Sequence, residues 1–158
     1  MFTSIRLRNF KSYRDSGTVR LAPLTIIVGR NNAGKSALFQ PLLALRQTLK
    51  DPSWGARLVT SGQFVDLGGF SDIVHAGEGR EVADVRFDIG REGVEAVPFL
   101  IDGRDISDES NVLSLTFGFD LSKNRTKVKE LVFSNDKGPL ATFSESGTWS
   151  AKSVTQIQ

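Results

Sequence analysis

Residues 24–36 read LTIIVGRNNAGKS, and how they are read decides the fold. Leu24 to Val28 is an unbroken apolar and β-branched run. That pattern predicts a strand buried on both faces, as in a parallel sheet covered by helices. Gly29 to Ser36 then follows the G-x-x-x-x-G-K-[ST] spacing of a phosphate-binding loop. Gly29 and Gly34 permit backbone angles and close approaches that a side chain would block. The loop amides turn inward as an anion-binding nest. A helix starting near Lys35 adds the partial positive charge of its N-terminus, on the order of half an elementary charge. Lys35 reaches the β and γ phosphates, and the Ser36 hydroxyl ligates Mg2+ bridging the same two groups. The candidate nucleotide-binding residues are therefore Gly29, Asn31, Asn32, Ala33, Gly34, Lys35, Ser36 and Ala37, with Ser36 also the candidate metal ligand. The plainer alternative is a glycine-rich turn before an ordinary helix, with Lys35 solvated. The motif speaks strongly for phosphate and weakly for any one reaction, because unrelated NTPases share it.

Downstream, residues 36–50 predict a helix whose core face carries Leu38, Leu42, Leu45 and Leu49, widened by Phe39 and Leu43. Pro41 lies near its start and is expected to kink or weaken it. Gln47 reads as helix surface, and the stretch DPSWG at 51–55 stops the helix. Upstream, Ile5 and Leu7 alternate with Arg6 and Arg8 in a strand, and a turn follows at RDSG. After residue 60 the texture becomes β-rich. Val85, Phe87 and Ile89 alternate with charges, and so do Leu113, Leu115, Phe117, Phe119 and Leu121 with small or polar residues. KVKELVF and PLATFSE form a hairpin around Lys137-Gly138, GTWSAKSV adds a further strand, and VTQIQ at the end is still strand-like. The expected organisation is one unit over 1–158, with a phosphate-loop strand and helix in 1–60 and a mainly antiparallel β-rich arm in 61–158.

Composition narrows the chemistry. The chain has 158 residues, about one domain. Twenty Lys and Arg against 18 Asp and Glu leave a net charge of +2, which does not argue for nucleic acid. With no cysteine and one histidine, His75, disulfides and thiol catalysis are excluded and a zinc site is disfavoured. No apolar leader and no membrane-length apolar run are present, so a cytoplasmic protein is expected.

Three stretches together carry a family resemblance: LRNFKSY, then LAPLTIIVGRNNAGKSALFQPLLALRQTL, then FVDLGGFSDIV. Over about residues 1–74 they resemble the start of an ABC-type ATPase head of the SMC, RecF and OLD-nuclease group. More narrowly they resemble the bacterial AAA-family ATPases close to it. The resemblance implies an α/β P-loop NTPase fold, ATP and Mg2+ as ligands, and ATP hydrolysis in the intact protein. It makes Asn9, Lys11 and Ser12 candidates for further nucleotide contacts. It also implies a C-terminal lobe, a second ATPase head in a homodimer, and a DNA, nuclease or other effector partner. The family's Walker B strand, ending in Asp-Glu, is not found: LTFGFD ends at Asp120 with Leu121 next, and LVFSND fails too. The L-S-G-G signature is absent, His75 comes too early to be the switch histidine and reads as a surface turn residue, and neither Gln47 nor Gln63 stands out as the γ-phosphate-sensing glutamine. No catalytic residue is therefore named, and the simplest account is an N-terminal lobe whose partner lobe supplies the rest.

Three other readings fit parts of the sequence. Asp66 to Gly69, DLGG, matches the D-x-x-G element of GTPases, but no N-K-x-D accompanies it and a turn is the simpler reading. A small P-loop kinase would need more helices. A nucleotide-gated DNA- or effector-binding module without turnover draws modest support from Arg6, Arg8, Lys11, Arg14 and Arg20, five basic residues against the single acid Asp15 in the first twenty. The basic stretch SKNRTKVK at 122–129 reads as a solvated hairpin.

Overall fold

The alternation of Ile5 and Leu7 with arginines places β1 (Phe2–Phe10) inside an antiparallel sheet in the computed structural model, which describes residues 1–51, 57–75, 84–92, 100–101, 104–105, 111–120, 125–145 and 149–153. The other strands are β2 (Tyr13–Asp15), β3 (Val19–Arg20), β4 (Val85–Arg91), β5 (Leu100–Ile101), β6 (Arg104–Asp105), β7 (Val112–Asp120), β8 (Arg125–Asn135), β9 (Gly138–Glu145) and β10 (Trp149–Ser153). The large sheet has eight strands in the order β10-β9-β8-β7-β4-β1-β2, and β3 also pairs with β1. β2 lies against the end of β1, with Arg8 opposite Asp15, and β3 against its start, with Ile5 opposite Val19. The other side of β1 pairs with β4, so the N-terminal strand and the β-rich arm share one sheet. β5 and β6 form a separate two-stranded ribbon.

The period of two sends alternate residues to one face. Ile5 and Leu7 of β1, Val85 and Phe87 of β4, and Phe117 of β7 are buried there against the helices. Phe10 meets Phe87 edge to face at 5.3 Å, and Phe87 meets Phe117 at 5.6 Å. A smaller cluster forms around Phe133, with Leu113, Leu131 and Phe143. The hairpin of β8 and β9 turns at Asp136-Lys137, with Asn135 opposite Gly138, as the sequence predicts.

The helix α1 spans Lys35–Lys50 and continues through the buried Pro41. Its core stripe differs from the expected one. Ala37, Pro41, Ala44 and Thr48 are buried, with Leu38 and Gln47 beside them, whereas Leu49 is 77% exposed. The buried stripe keeps the 4-3-4 spacing but runs one residue earlier. Small side chains at Ala37 and Ala44 let the helix lie close to the sheet, and Leu42 and Leu45 fill the flank. A short helix, α2 (Phe70–Ile73), buries Phe70 and Ile73, and Phe70 stacks on Phe119 at 5.2 Å.

Leu24 to Val28 is the largest correction. It forms no strand, and no backbone hydrogen bond joins it to another strand among the described residues. Leu24, Ile26 and Val28 are 78%, 76% and 85% exposed, while Thr25 and Ile27 are half-buried. The run is apolar on both faces, yet only the Ile27 side finds the core. Upstream, Ala22 and Thr25 close a local turn: the Ala22 amide donates to Thr25 Oγ1 at 2.9 Å. Four further readings fall outside the described residues: the helix stop after Asp51, Leu121, the first part of SKNRTKVK, and the final VTQIQ.

Candidate functional site

Gly34 caps the N-terminus of α1 in the left-handed conformation, φ 86° and ψ 6°, which favours glycine. The cap has no side-chain hydrogen bond, and the first turn carries no acid. The amides of Lys35, Ser36 and Ala37 precede the first helical bond, from the Leu38 amide to the Gly34 carbonyl at 3.3 Å, so they have no acceptor within the helix. An uncapped helix start with no local acid is electrostatically set for an anion. Before it, the Ala33 amide donates to the Arg30 carbonyl at 3.2 Å and Asn32 is left-handed, φ 62°, so the loop turns tightly. Lys35 folds back over the loop, its Nζ donating to the Gly29 and Arg30 carbonyls at 2.6 Å each. Asn31, Asn32, Ala33 and Ser36 are exposed, and Ser36 Oγ has no protein partner among the described residues. Ala37 is buried in the core, so only its backbone is available to a ligand. Free amides, a lysine at the loop mouth and an open hydroxyl are the donor set that a polyphosphate with Mg2+ requires, and in that respect the residues fit the group.

The turn between β1 and β2 abuts this loop. A Cβ on Gly34 would crowd Ser12 Oγ and lie 3.2 Å from the Tyr13 hydroxyl oxygen, so the close approach adds to the left-handed backbone in favouring glycine. Tyr13 donates its hydroxyl to the Gly34 carbonyl at 3.2 Å. The turn is fixed from the other side by the segment after α2. The Lys11 amide donates to Ile73 O at 2.7 Å and the His75 amide to Asn9 O at 3.0 Å. His75 Nδ1 lies 2.7 Å from the Lys11 carbonyl, which can only accept, so Nδ1 carries the hydrogen. Asn9 and Lys11 are both left-handed, φ 56° and 48°. Of the three resemblance-derived candidates, Ser12 touches the loop. Lys11 has an amine with no partner among the described residues, and the Asn9 side-chain Nδ2 donates to Asp84 O at 2.9 Å. His75 is a half-buried clamp and not a free surface residue.

Gln47, expected on the helix surface, is buried: its Nε2 donates to Val59 O at 2.7 Å, and its Oε1 accepts from the Val65 and Phe64 amides at 3.2 and 3.4 Å. It ties residues 59–65 to α1, helped by Arg46 above the Phe64 ring at 4.5 Å. Gln63 is exposed beside it. Asp66 accepts from the Gly68 amide at 3.0 Å, a turn contact. Asp120 sits opposite Arg125 where β7 meets β8. Tyr13 is not singled out by the sequence, and Gln47 lies on the opposite side of the helix from the one expected. Tyr13 is the only tyrosine of the chain and lies in the quoted N-F-K-S-Y stretch, which was the available signal. Gln47 adjoins Thr48 on the true 4-3-4 stripe, but a polar residue there looked solvated.

The basic face of β1 is neutralised in part. Arg6 pairs with Asp15 at 2.5 Å, and Arg8 reaches Asp88 at 3.5 Å and Asp15 at 3.8 Å. The Arg6 hydrogen bond and the Gly17 amide hold the Asp15 carboxyl far below the usual carboxylate range. A groove of about 250 Å³ between Arg6, Arg86, Asp88 and Ser114 opens on this polar face and not at the loop. Among the described residues no helix is long and apolar enough to cross a membrane, and no cluster of three or more His, Cys, Asp or Glu forms a metal site.

The family model for the AAA ATPase domain matches residues 1–151 of this chain. No curated protein matches the sequence.

Proposed function

The chain belongs to the AAA ATPase domain family, and from that premise we propose that it binds Mg-ATP in the Gly29–Ser36 loop as part of an ABC-type ATPase head. A nucleotide-binding role in an ATPase family and a mostly antiparallel sheet consistent with a P-loop NTPase-like fold are the general frame. The single observation that carries the finer reading is the uncapped, acid-free start of α1 behind the left-handed Gly34, with the Lys35 amine at the loop mouth. The amides from Asn32 to Ala37 would cradle the phosphates once the Ala33 amide leaves the Arg30 carbonyl, Lys35 would leave its two carbonyls for the β and γ groups, and Ser36 would hold Mg2+. Bound there, Mg2+ would offset negative charge on the same phosphates.

Hydrolysis in this proposal needs a C-terminal lobe or partner. Two observations support that. No described strand ends in the paired acids that would hold metal and orient water, and Leu24–Val28 exposes apolar side chains on the segment that leads into the loop. A sheet strand apolar on both faces is stable only when neighbours cover it. A second head, and DNA or a nuclease as the driven partner, remain readings from resemblance; partial neutralisation of the β1 arginines weakens the DNA reading relative to a protein effector.

The test is thermal unfolding with Mg-ATP, Mg-GTP or no nucleotide, with Lys35→Ala alongside. Ligand at about a hundred times its dissociation constant should add roughly 2.7 kcal/mol. Loss of the charge-assisted bonds of Lys35, worth about 1.5–3 kcal/mol, should weaken ATP binding about tenfold or more. An ATP-induced shift that survives Lys35→Ala sinks the loop assignment.

A further inference from the structure

We infer that Tyr13 is a positioning residue for the phosphate loop, acting through the Gly34 carbonyl; this rests on the polyphosphate reading above. The Tyr13 hydroxyl donates to Gly34 O at 3.2 Å, an oxygen that already accepts the Leu38 amide at 3.3 Å. The Gly34 carbonyl and the Lys35 amide belong to one planar peptide and point in opposite directions. Fixing the oxygen therefore fixes the direction of the first free N–H of the helix. Tyr13 holds the back of the peptide whose front faces the anion.

The anchor is rigid. The Tyr13 ring packs against the main core, so the hydroxyl is delivered from a fixed base. The turn before it is pinned by the fully buried Phe10 and by three bonds to Ile73–His75: Lys11 amide to Ile73 O, His75 amide to Asn9 O, and His75 Nδ1 to Lys11 O. Ser12 Oγ lies close against Gly34, so the turn and the loop are in direct contact. The end of α2 with the residues after it, the N-terminal turn and the loop thus form one continuous support.

The experiment compares wild type, Tyr13→Phe and Lys35→Ala, titrated below their melting range with Mg-ATP and with Mg-tripolyphosphate, which has neither base nor ribose. Circular dichroism confirms the folded fraction. Amide hydrogen exchange at Lys35–Ala37 is followed without ligand. Removing one neutral hydrogen bond should weaken both ligands by about three- to tenfold, and exchange at these amides should quicken. A purely structural hydroxyl would lower the melting temperature and leave both affinities and local exchange at wild-type values, which overturns the inference. Loss for Mg-ATP alone also overturns it, because that places Tyr13 against the base or sugar. If Lys35→Ala binds tripolyphosphate like wild type, the polyphosphate reading fails and this inference with it. A crippled Lys35→Ala beside an unaltered Tyr13→Phe defeats this inference alone.

Discussion

β1 and Leu24–Val28 both carry apolar side chains and are separated in sequence by the 13 residues 11–23, and they end in opposite environments. Ile5 and Leu7 are fully buried, and β1 is paired on both edges. Ile26 and Val28 stand mostly in solvent with no strand beside them among the described residues. The difference lies in what each pattern demands. An alternating strand needs one covered face, which α1 and α2 supply locally. A run apolar on every side needs two covered faces and two paired edges, and the described residues provide half of one.

The largest effect expected from this contrast is in Phe87, at the centre of the aromatic row. Phe87→Ala should cost about 3–5 kcal/mol, read as a lowered urea midpoint. Ile26→Ala should stay within about 0.5 kcal/mol of wild type. Equal losses would mean that Leu24–Val28 is covered in solution, and the comparison breaks. Ile26→Lys goes further: exposed, unpaired apolar strands favour association, so concentration-dependent self-association of the wild-type chain should fall in the variant by light scattering.

A mid-sized effect belongs to Gln47. Gln47→Leu keeps the volume but leaves the Val59 carbonyl and the Val65 amide without their partner. Unmade bonds of that kind cost about 1–3 kcal/mol. Hydrogen exchange should rise at residues 59–65 while β1 and β4 stay protected, which separates a local clamp from general loosening.

What could be read in advance followed the same division. The β1, β4 and β7 alternations and the β8–β9 hairpin were legible because antiparallel strands satisfy themselves locally. The start of α1 behind Gly34 was legible because a left-handed position before a helix favours glycine. The helix stripe was misread by one residue because leucines outweigh alanines in any apolar count, although Ala37 and Ala44 are what let the helix approach the sheet. Gln47, Tyr13 and His75 were opaque for another reason: each acts through a backbone group far off in the chain, and no local pattern encodes that partner. The burial of Leu24–Val28 was overread because the pattern states a need and does not state where the covering residues are.

The smallest effect lies on the polar side of β1, and it bears on partners. Asp15 draws Arg6 and Arg8 together at an exposed edge, and its carboxyl is held well below the usual range by Arg6 and the Gly17 amide. A group with a depressed folded pKa contributes its stability above its unfolded value, about 3.9, and loses it as pH falls from there toward the folded value. Asp15→Asn should therefore flatten the acid limb of the stability curve below about pH 4 and leave neutral pH nearly unchanged, since exposed pairs contribute little. A large loss at neutral pH would show that the edge is covered after all. The same substitution frees Arg6 and leaves Arg8 with Asp88 alone, so weak duplex-DNA binding at low salt should rise slightly; a fall would mean that Asp15 helps to build a binding surface instead of masking one.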